Sequence, residues 1–392
     1  MRQRTTTGAG PTATPLRWTT VIGARPQFVK AALVSRAVRR HNVTRPERPV
    51  AETIVHSGQH YDPALSRVFF DQLDIPAPRI NLGVGSGSHG RQTADMLAGL
   101  EAVLAADRPD LVLVYGDTNT TLAGALAAAK LGIPIAHVEA GLRSGVRSMP
   151  EEINRVVADR LSTLLFCPTR MAVANLKAEG LTRGVKLVGD VMYDAFLAYR
   201  AKAGSRSRIL ADLGLARGRY ALATIHRQEN TDDPARLRSL FETLSALSGK
   251  DRPVVVPLHP RTRNALRALR VRPETGSPLM IVPPATYLDM IALECSAAVI
   301  LTDSGGVQKE AAFAGVPCLT LRDETEWPET VAAGLNRVVG TDPARIAAGF
   351  RAAVRNGRPR RGVRGLYGNG AAADRIVRAI VGSSGRRGTG AG

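Results

Sequence analysis

The sequence has few cysteines and no long hydrophobic run. Its three cysteines, Cys167, Cys295 and Cys318, are odd in number and lack Cys-x-x-Cys spacing. That pattern argues against a disulfide framework and a cysteine-bound zinc ion, and it indicates a reducing compartment. No apolar run approaches the ~18 residues that a membrane helix needs, and residues 1–17 contain no hydrophobic block typical of a signal peptide. We therefore expect a cytoplasmic protein without a membrane partner.

Aromatic residues are also scarce, at 4% of the chain, although the formal net charge is +19. Such a charge could neutralise phosphates, but the arginines are scattered. Their densest cluster, within residues 351–364, has no interleaved aromatic side chains. We therefore predict no nucleic-acid partner. An RNA-binding or regulatory protein remains an alternative that depends on charge alone.

What the chain does contain is a regular alternation of short apolar runs and amphipathic stretches. This alternation is typical of parallel sheets covered by helices, and 392 residues are too many for one ordinary core. The sequence thus predicts an α/β protein of two domains, with a polar boundary within Ala201–Gly218. The predicted segments are a disordered tail at 1–16, a domain at 17–200, a domain at 201–365, a helix at 366–382 and a disordered tail at 383–392.

The predicted strands form two series. The first comprises Thr19–Gly23, Thr53–His56, Leu111–Tyr115, Ile133–Val138, Leu164–Cys167 and Lys186–Val188. The second comprises Tyr220–Ile225, Val254–Pro257, Leu279–Val282, Ala298–Leu301 and Pro317–Thr320. Because ligands bind doubly wound sheets at the carboxyl ends of the strands, polar residues at those ends are the candidates for chemistry.

Charged residues follow the strands of the first series. Arg25 lies in the turn after the first strand and Lys30 in the helix beyond it, where both could face a bound anion. Asp117 and Glu139 follow two adjacent strands, and helix capping does not explain them. Glu151 begins the next predicted helix, so simple capping explains it equally well.

In the second series, two strands are followed by residues that could bind a phosphate. His226 follows the first of these strands, where it could be a phosphate ligand or an acid/base group. The turn Ser304–Gly306 lies between a strand and a helix, so its backbone N–H groups could cradle an anion. Glu310, one turn into that helix, could accept hydrogen bonds from a ribose.

Two further patterns are poor predictors of a cofactor. Gly85–Gly90 spells the dinucleotide fingerprint G-x-G-x-x-G, but it does not lie in the first βα turn. His56 and His60 have i, i+4 spacing, but they fall where a strand enters a turn, so they should not share a helical face.

The order of the motifs resembles that of the non-hydrolysing UDP-N-acetylglucosamine (UDP-GlcNAc) 2-epimerases. Six segments carry the resemblance, namely Gly23–Pro26, Gly116–Thr118, His137–Arg143, Pro150–Arg155, His226–Asn230 and Thr302–Gln308. It extends from about residue 19 to residue 382. The resemblance implies a glycosyltransferase-B type fold, in which two Rossmann-like domains face a central cleft and the last helix crosses back to the first domain. It also implies a homodimer.

Carried over residue by residue, the resemblance implies three sets of roles. The catalytic set is Asp117, Glu139, Glu151 and His226. The substrate-binding set is Arg25, Lys30, Arg143, Arg155, Met290, Ser304, Gly305, Gly306 and Glu310, with Met290 standing where relatives often place an aromatic residue near the uracil. A second, regulatory UDP-GlcNAc would contact Gln59, His60, Arg91, Gln92 and His259.

The reaction implied is epimerisation at C2 of a UDP-2-acetamido sugar through a glycal, with no NAD and no metal, so we predict no cofactor. UDP-GlcNAc to UDP-ManNAc is the first expectation. Trp327, however, stands where most UDP-GlcNAc epimerases carry arginine, and tryptophan there is found in relatives acting on UDP-2,3-diacetamido-2,3-dideoxyglucuronate. That uronate is the alternative substrate, and a glycosyltransferase is a further alternative.

Overall fold

Short strands, most of them buried, alternate with helices along the described chain. The computed structural model describes residues 14–59, 77–258, 260–269, 278–359, 362–363 and 365–384. Within them the strands are β1 (Leu16–Ile22), β2 (Val50–His56), β3 (Ile80–Asn81), β4 (Leu111–Tyr115), β5 (Ile135–Val138), β6 (Leu164–Cys167), β7 (Val185–Leu187), β8 (Ala221–Thr224), β9 (Val254–Pro257), β10 (Met280–Val282), β11 (Val299–Thr302), β12 (Cys318–Thr320) and β13 (Asn336–Val338).

The helices connect these strands. In the same described residues they are α1 (Arg25–Thr44), α2 (His89–Asp107), α3 (Asn119–Lys130), α4 (Pro150–Leu161), α5 (Arg170–Ala178), α6 (Val191–Arg206), α7 (Ile209–Asp212), α8 (Gln228–Thr231), α9 (Pro234–Leu247), α10 (Pro260–Ala268), α11 (Tyr287–Ser296), α12 (Gly305–Ala314), α13 (Pro328–Ala332), α14 (Pro343–Asn356) and α15 (Ala372–Ser384). None of them is both long and apolar enough to span a bilayer.

Both sheets have the strand order of a Rossmann fold. Their orders are β3-β2-β1-β4-β5-β6-β7 and β10-β9-β8-β11-β12-β13, and the described strand pairs are all parallel. The predicted α/β class is therefore confirmed. The apolar pattern did not predict β3 and β13, because edge strands of two and three residues are too short to form a recognisable run.

The described chain divides into two compact units. The first contains the described residues up to Asp194 and from Gly368 onward, and the second contains those of Ala195–Tyr367. Within the first unit, α15 packs against α1, and its Ala373 N–H donates to the Asp194 carboxylate over 2.8 Å. Burial raises the pKa of Asp194 to about 6. The predicted tails lie almost wholly outside the described residues.

In the first unit, α3 lies unusually close to the sheet. A Cβ atom on Gly124 would approach Val114 Cγ1 to 3.1 Å, and Ala123, Ala125 and Ala127 are fully buried around it. The helix begins with Thr118 as its N-cap, directly after the turn that follows β4. Small residues on α3 thus bring its N-terminus and that turn close to the end of the strand.

Candidate active site

Several predicted site residues follow the carboxyl ends of the central strands in each unit. Asp117 follows β4, and Arg25 is the first residue of α1, directly after β1; nothing further is described for its side chain. His226 follows β8 and Ser304 follows β11. In each sheet the strand order reverses between these two strands, which is where doubly wound proteins bind ligands.

Lys30 and Glu139 form an ion pair in the first unit. The ammonium of Lys30 contacts the Glu139 carboxylate, and their side chains are 7% and 12% exposed; that Lys30 could face a bound anion stays a prediction. A Cβ atom on Gly116 would lie 3.3 Å from Glu139 Oε2 and 3.4 Å from Lys30 Nζ. Glycine at position 116 therefore leaves room for the pair. The pairing arises because α1, carrying Lys30, covers the strand ends next to β1.

The backbone of Glu139 adopts an uncommon conformation. Its φ angle is 76°, in the left-handed region that side chains other than glycine rarely adopt. The N–H groups of Glu139 and Ala140 both donate to the Phe166 carbonyl, each over 3.1 Å, and hold the turn. Such strain costs about 1–3 kcal/mol and persists where the surroundings impose it, often at functional sites.

Asp117 is paired with the buried Arg155, whose Nη2 lies 2.5 Å from its carboxylate. Arg155 Nη1 also donates to Glu152 over 2.8 Å. Glu152 further accepts hydrogen bonds from the Ser144 N–H and hydroxyl, over 3.0 and 3.1 Å. Burial works to raise the pKa of Glu152, but the Ser144 donors and the Arg155 charge lower it overall. Glu151 lies half-buried in the same helical turn, and its catalytic role stays a prediction; the residue that pairs with Arg155 is its neighbour Glu152.

Arg143 donates its hydrogen bonds to groups of the first unit. Its Nε and Nη2 donate to the two oxygens of Glu179 over 2.6 and 2.8 Å, and its Nη1 donates to Asp159 over 2.8 Å. Nη1 also donates to the Leu142 carbonyl. These bonds give Arg143 a bracing role that the sequence did not predict, and its contact with substrate stays a prediction.

Two residues of the predicted regulatory set contact the start of α3. Gln59 accepts a hydrogen bond from the Thr120 hydroxyl over 2.7 Å, and Gln92 accepts one from Asn119 over 2.9 Å. Arg91 is exposed and pairs with Asp95, four residues further along α2. The two remaining members, His60 and His259, lie outside the described residues.

In the second unit, a buried carboxylate holds the loop that carries His226. Asp303 has no exposed surface, and its oxygens accept from the N–H groups of His226 and Arg227, at 3.0 to 3.1 Å, and from the Asn230 amide over 3.0 Å. The His226 side chain is 36% exposed, with Nδ1 3.5 Å from Asp303. Asp303 therefore fixes the loop through its backbone and leaves the His226 ring accessible.

The N-terminus of α12 has the features of an anion site. Ser304 is the N-cap and accepts the Val307 N–H, and Gly305 and Gly306 open the helix. A Cβ atom on Gly305 would lie 2.8 Å from Glu326 Oε2, whereas one on Gly306 would meet only Ser304 Oγ, at 3.8 Å. Backbone N–H groups and the helix dipole favour a negative charge at such a terminus.

Trp327 supports this helix start. The ring is buried, and its Nε1–H donates to the Gly305 carbonyl over 2.9 Å. Lys309 Nζ lies 4.2 Å from the ring centroid, within the range of a cation–π interaction. Trp327 thus contacts the Ser304–Gly306 turn through Gly305.

A second group that the sequence missed surrounds Arg322. The residue is 2% exposed, and its guanidinium donates to Glu229 over 2.7 Å and to Glu326 over 3.0 Å. Arg227 lies 3.4 Å from the same Glu326. Burial works to raise the pKa of Glu326, but the Arg322 and Arg227 charges lower it overall. No local sequence pattern could have identified this group of charged residues, because its members come from separate segments of the chain.

Two buried carboxyl groups meet behind α12. Burial raises the pKa of Glu310 to about 7, and it raises that of the fully buried Glu294 further, with the neighbouring Glu310 adding to the effect. Two carboxylates this close share a proton more readily than they both ionise. Met290 lies half-buried on the adjacent α11. The predicted ribose contact of Glu310 therefore involves a group that titrates near neutral pH.

Two parallel Rossmann-like sheets, with polar groups at their central strand ends, define an α/β fold of the glycosyltransferase-B type. A model of the UDP-N-acetylglucosamine 2-epimerase family matches residues 43–381. The chain belongs to the UDP-N-acetylglucosamine 2-epimerase family and is an isomerase.

Relatives of this family match most of the length of this chain. A UDP-N-acetylglucosamine 2-epimerase homolog of Methanococcus maripaludis is 50% identical, covering 83% of this chain and 89% of that protein. The UDP-2,3-diacetamido-2,3-dideoxy-D-glucuronate 2-epimerase of Pseudomonas aeruginosa is 48% identical, covering 91% and 97%. The crystal structure of Methanocaldococcus jannaschii UDP-GlcNAc 2-epimerase in complex with UDP-GlcNAc and UDP is 39% identical, with a TM-score of 0.83, covering 93% and 99%.

Proposed function

We propose that this epimerase inverts C2 of a UDP-2-acetamido sugar, with UDP-GlcNAc and UDP-ManNAc as its first-ranked pair. The observation that carries the proposal is the presence of two carboxylates, Asp117 and Glu139, at adjacent strand ends of the first sheet, each held against a cation. Proton removal and return at one carbon require such positioned groups.

The proposed route is an elimination followed by re-addition. A carboxylate removes the C2 proton, the electron pair forms the C1–C2 double bond, and UDP leaves from C1 to give a glycal. Protonation of C2 from the opposite face and return of UDP to C1 complete the inversion. The sequence of steps has no net oxidation or reduction, so it requires no redox cofactor. We assign the UDP contacts to Arg25, His226, the Ser304–Gly306 turn and Glu310.

The structure supports the UDP contacts through the second unit. The α12 N-terminus offers N–H groups to a diphosphate, and the ring of His226 is exposed beside its buried Asp303 anchor. The M. jannaschii relative binds UDP-GlcNAc and UDP, which supports a UDP-sugar as the substrate here. We do not retain the glycosyltransferase alternative, because the chain belongs to an epimerase family.

The proposal is tested by proton NMR of UDP-GlcNAc incubated with the enzyme in deuterated water. We expect UDP-ManNAc to form with solvent deuterium at C2. Product that keeps its original C2 hydrogen would contradict the elimination route. The double variant Asp117→Asn/Glu139→Gln should form no product and incorporate no deuterium.

The uronate is the second candidate substrate because the P. aeruginosa relative that acts on it is 48% identical. Side-by-side assays of UDP-GlcNAc and UDP-2,3-diacetamido-2,3-dideoxyglucuronate, at equal concentration and with UDP-GlcNAc also supplied as a possible activator, distinguish the two. A preference above about 100-fold for the uronate, equivalent to ~2.7 kcal/mol, would replace the first-ranked substrate and leave the reaction class intact. The homodimer and the cytoplasmic location stay predictions, the first testable by light scattering.

A further inference from the structure

A fully buried histidine lies between the two acid-bearing turns of the first unit. His137, in β5, has no exposed side-chain surface. Its Nε2 lies 2.7 Å from the Gly116 carbonyl oxygen, and its Nδ1 lies 2.7 Å from Asp159 Oδ1. The proposed route gives it no role.

Both ring nitrogens of His137 therefore face oxygen atoms that accept hydrogen bonds. A neutral imidazole carries one N–H and could make only one of these two bonds. An imidazolium carries two N–H groups and satisfies both acceptors. The geometry thus favours the charged ring, because a neutral ring would leave one buried acceptor without its hydrogen bond.

The charges around Asp159 agree with a protonated ring. Asp159, from α4, also pairs with Arg143 over 2.8 Å, and Arg143 in turn pairs with Glu179 at the end of α5. Burial works to raise the pKa of Asp159, but the hydrogen bonds and charges of His137 and Arg143 lower it overall. Burial raises the pKa of the nearby Cys167 thiol, from β6, to about 12, which leaves it neutral. Without a charge on His137, Arg143 would have to balance Asp159 while also pairing with Glu179.

The two groups that face the His137 ring, the Gly116 carbonyl and the Asp159 carboxylate, contact or belong to the turns that carry Asp117 and Glu139. The Gly116 carbonyl belongs to the peptide bond that precedes Asp117. The second oxygen of Asp159 accepts the Gly141 N–H over 3.1 Å, two residues after Glu139. Gly141 has a φ of 82°, and a Cβ atom there would lie 2.4 Å from the Ala172 carbonyl oxygen, so its turn cannot shift freely.

We propose that His137 is a positioning residue, held as an imidazolium between Gly116 and Asp159, that fixes the two turns carrying Asp117 and Glu139. The assignment deepens the proposed function and rests on it, because the catalytic roles of those two acids are part of that proposal. The charge of the ring, in contrast, can be measured without any activity.

The charge is read directly by NMR of the full-length protein labelled with ¹⁵N at histidine. Long-range ¹H–¹⁵N correlations report the protonation of each ring nitrogen, and the spectrum of His137→Gln identifies the signals that belong to His137. At neutral pH we expect both nitrogens of His137 to carry a proton. Asp159→Asn should shift them to the values of a neutral ring. A neutral tautomer in the unaltered protein would overturn the proposal.

The positioning role is read by kinetics. His137→Gln and Asp159→Asn should each lower kcat by about 10²-fold, as expected when reacting groups are misplaced by about an ångström. For His137→Gln, KM for the UDP-sugar and the dissociation constant for UDP should stay within about 3-fold, since the exchanged side chain has no exposed surface. His41→Gln, the same substitution near the end of α1, should leave kcat unchanged.

The outcomes separate this proposal from the proposed function. A folded His137→Gln protein with unchanged kcat would overturn the positioning role. An unaltered protein that epimerises neither UDP-sugar would overturn the proposed function, and the NMR experiment would still decide the charge of His137.

Discussion

The two units organise their candidate site residues in different ways. In the first unit, acidic side chains pair with cations, as Glu139 does with Lys30 and Asp117 with Arg155. In the second unit, the buried Asp303 instead binds backbone N–H groups of the His226 loop. Side-chain ion pairs thus hold the candidate acids of the first unit, whereas hydrogen bonds to the backbone hold the His226 loop of the second. Under the proposed function, proton transfer depends on the acids of the first unit, and UDP is held by the second unit together with Arg25.

The largest effect is expected from Glu139→Gln. Loss of a positioned carboxylate should lower kcat by ~10²-fold or more, because the neutral amide cannot take or return a proton. The affinity for UDP, measured by calorimetry, should not change. Glu101→Gln, at an exposed position of α2, is the matched control. A loss of UDP affinity as large as the loss of kcat would remove the distinction between the units.

A smaller effect on binding is expected from Asp303→Asn. Hydrogen bonds to a charged acceptor contribute about 1.5–3 kcal/mol, so a loosened His226 loop should weaken UDP binding by ~10- to 100-fold. At saturating substrate, kcat should fall less than UDP affinity does. Calorimetry and initial rates measure the two quantities, with Asp251→Asn in an exposed turn as control. Unchanged UDP affinity in a folded variant would refute the role given to the loop.

Trp327→Phe should have a more modest effect. It removes the N–H donated to the Gly305 carbonyl and keeps an aromatic ring beside Lys309. A neutral hydrogen bond is worth about 1 kcal/mol, so UDP affinity should fall by about 5-fold. Trp18→Phe makes the same change in β1 of the first unit and should leave UDP affinity unaltered. If Trp327→Phe changes the preference between the two UDP-sugars instead, the indole acts on the sugar.

The smallest effect concerns the pH dependence of stability. Folding raises the pKa of Glu310 from 4.5 to about 7, so the folded state holds this proton more tightly than the unfolded chain does. The resulting stabilisation is complete below about pH 4.5 and is lost as the pH rises towards 7. Glu310→Gln should make this decline shallower in urea unfolding followed across that range. The exposed Glu242→Gln serves as control, and an unchanged slope would contradict the assignment.

The sequence determined the fold class and the general location of the site. Apolar periodicity is local, so runs such as Leu111–Tyr115 predict buried strands without knowledge of their neighbours. Since parallel strands place their carboxyl ends at one edge, Asp117, Glu139 and His226 could be selected from position alone. Family motifs then gave expected roles, which no local pattern could supply.

Only the tertiary structure decided which side chains meet. Neighbouring residues on a helix differ by about 100° in direction, so packing had to distinguish Glu152, which contacts Arg155, from Glu151. Lys30 and Glu139 are 109 residues apart, and Trp327 and Gly305 are 22 apart. Such contacts depend on where whole helices rest on a sheet. Long-range packing therefore sets the charge and orientation of groups whose positions the sequence had already indicated.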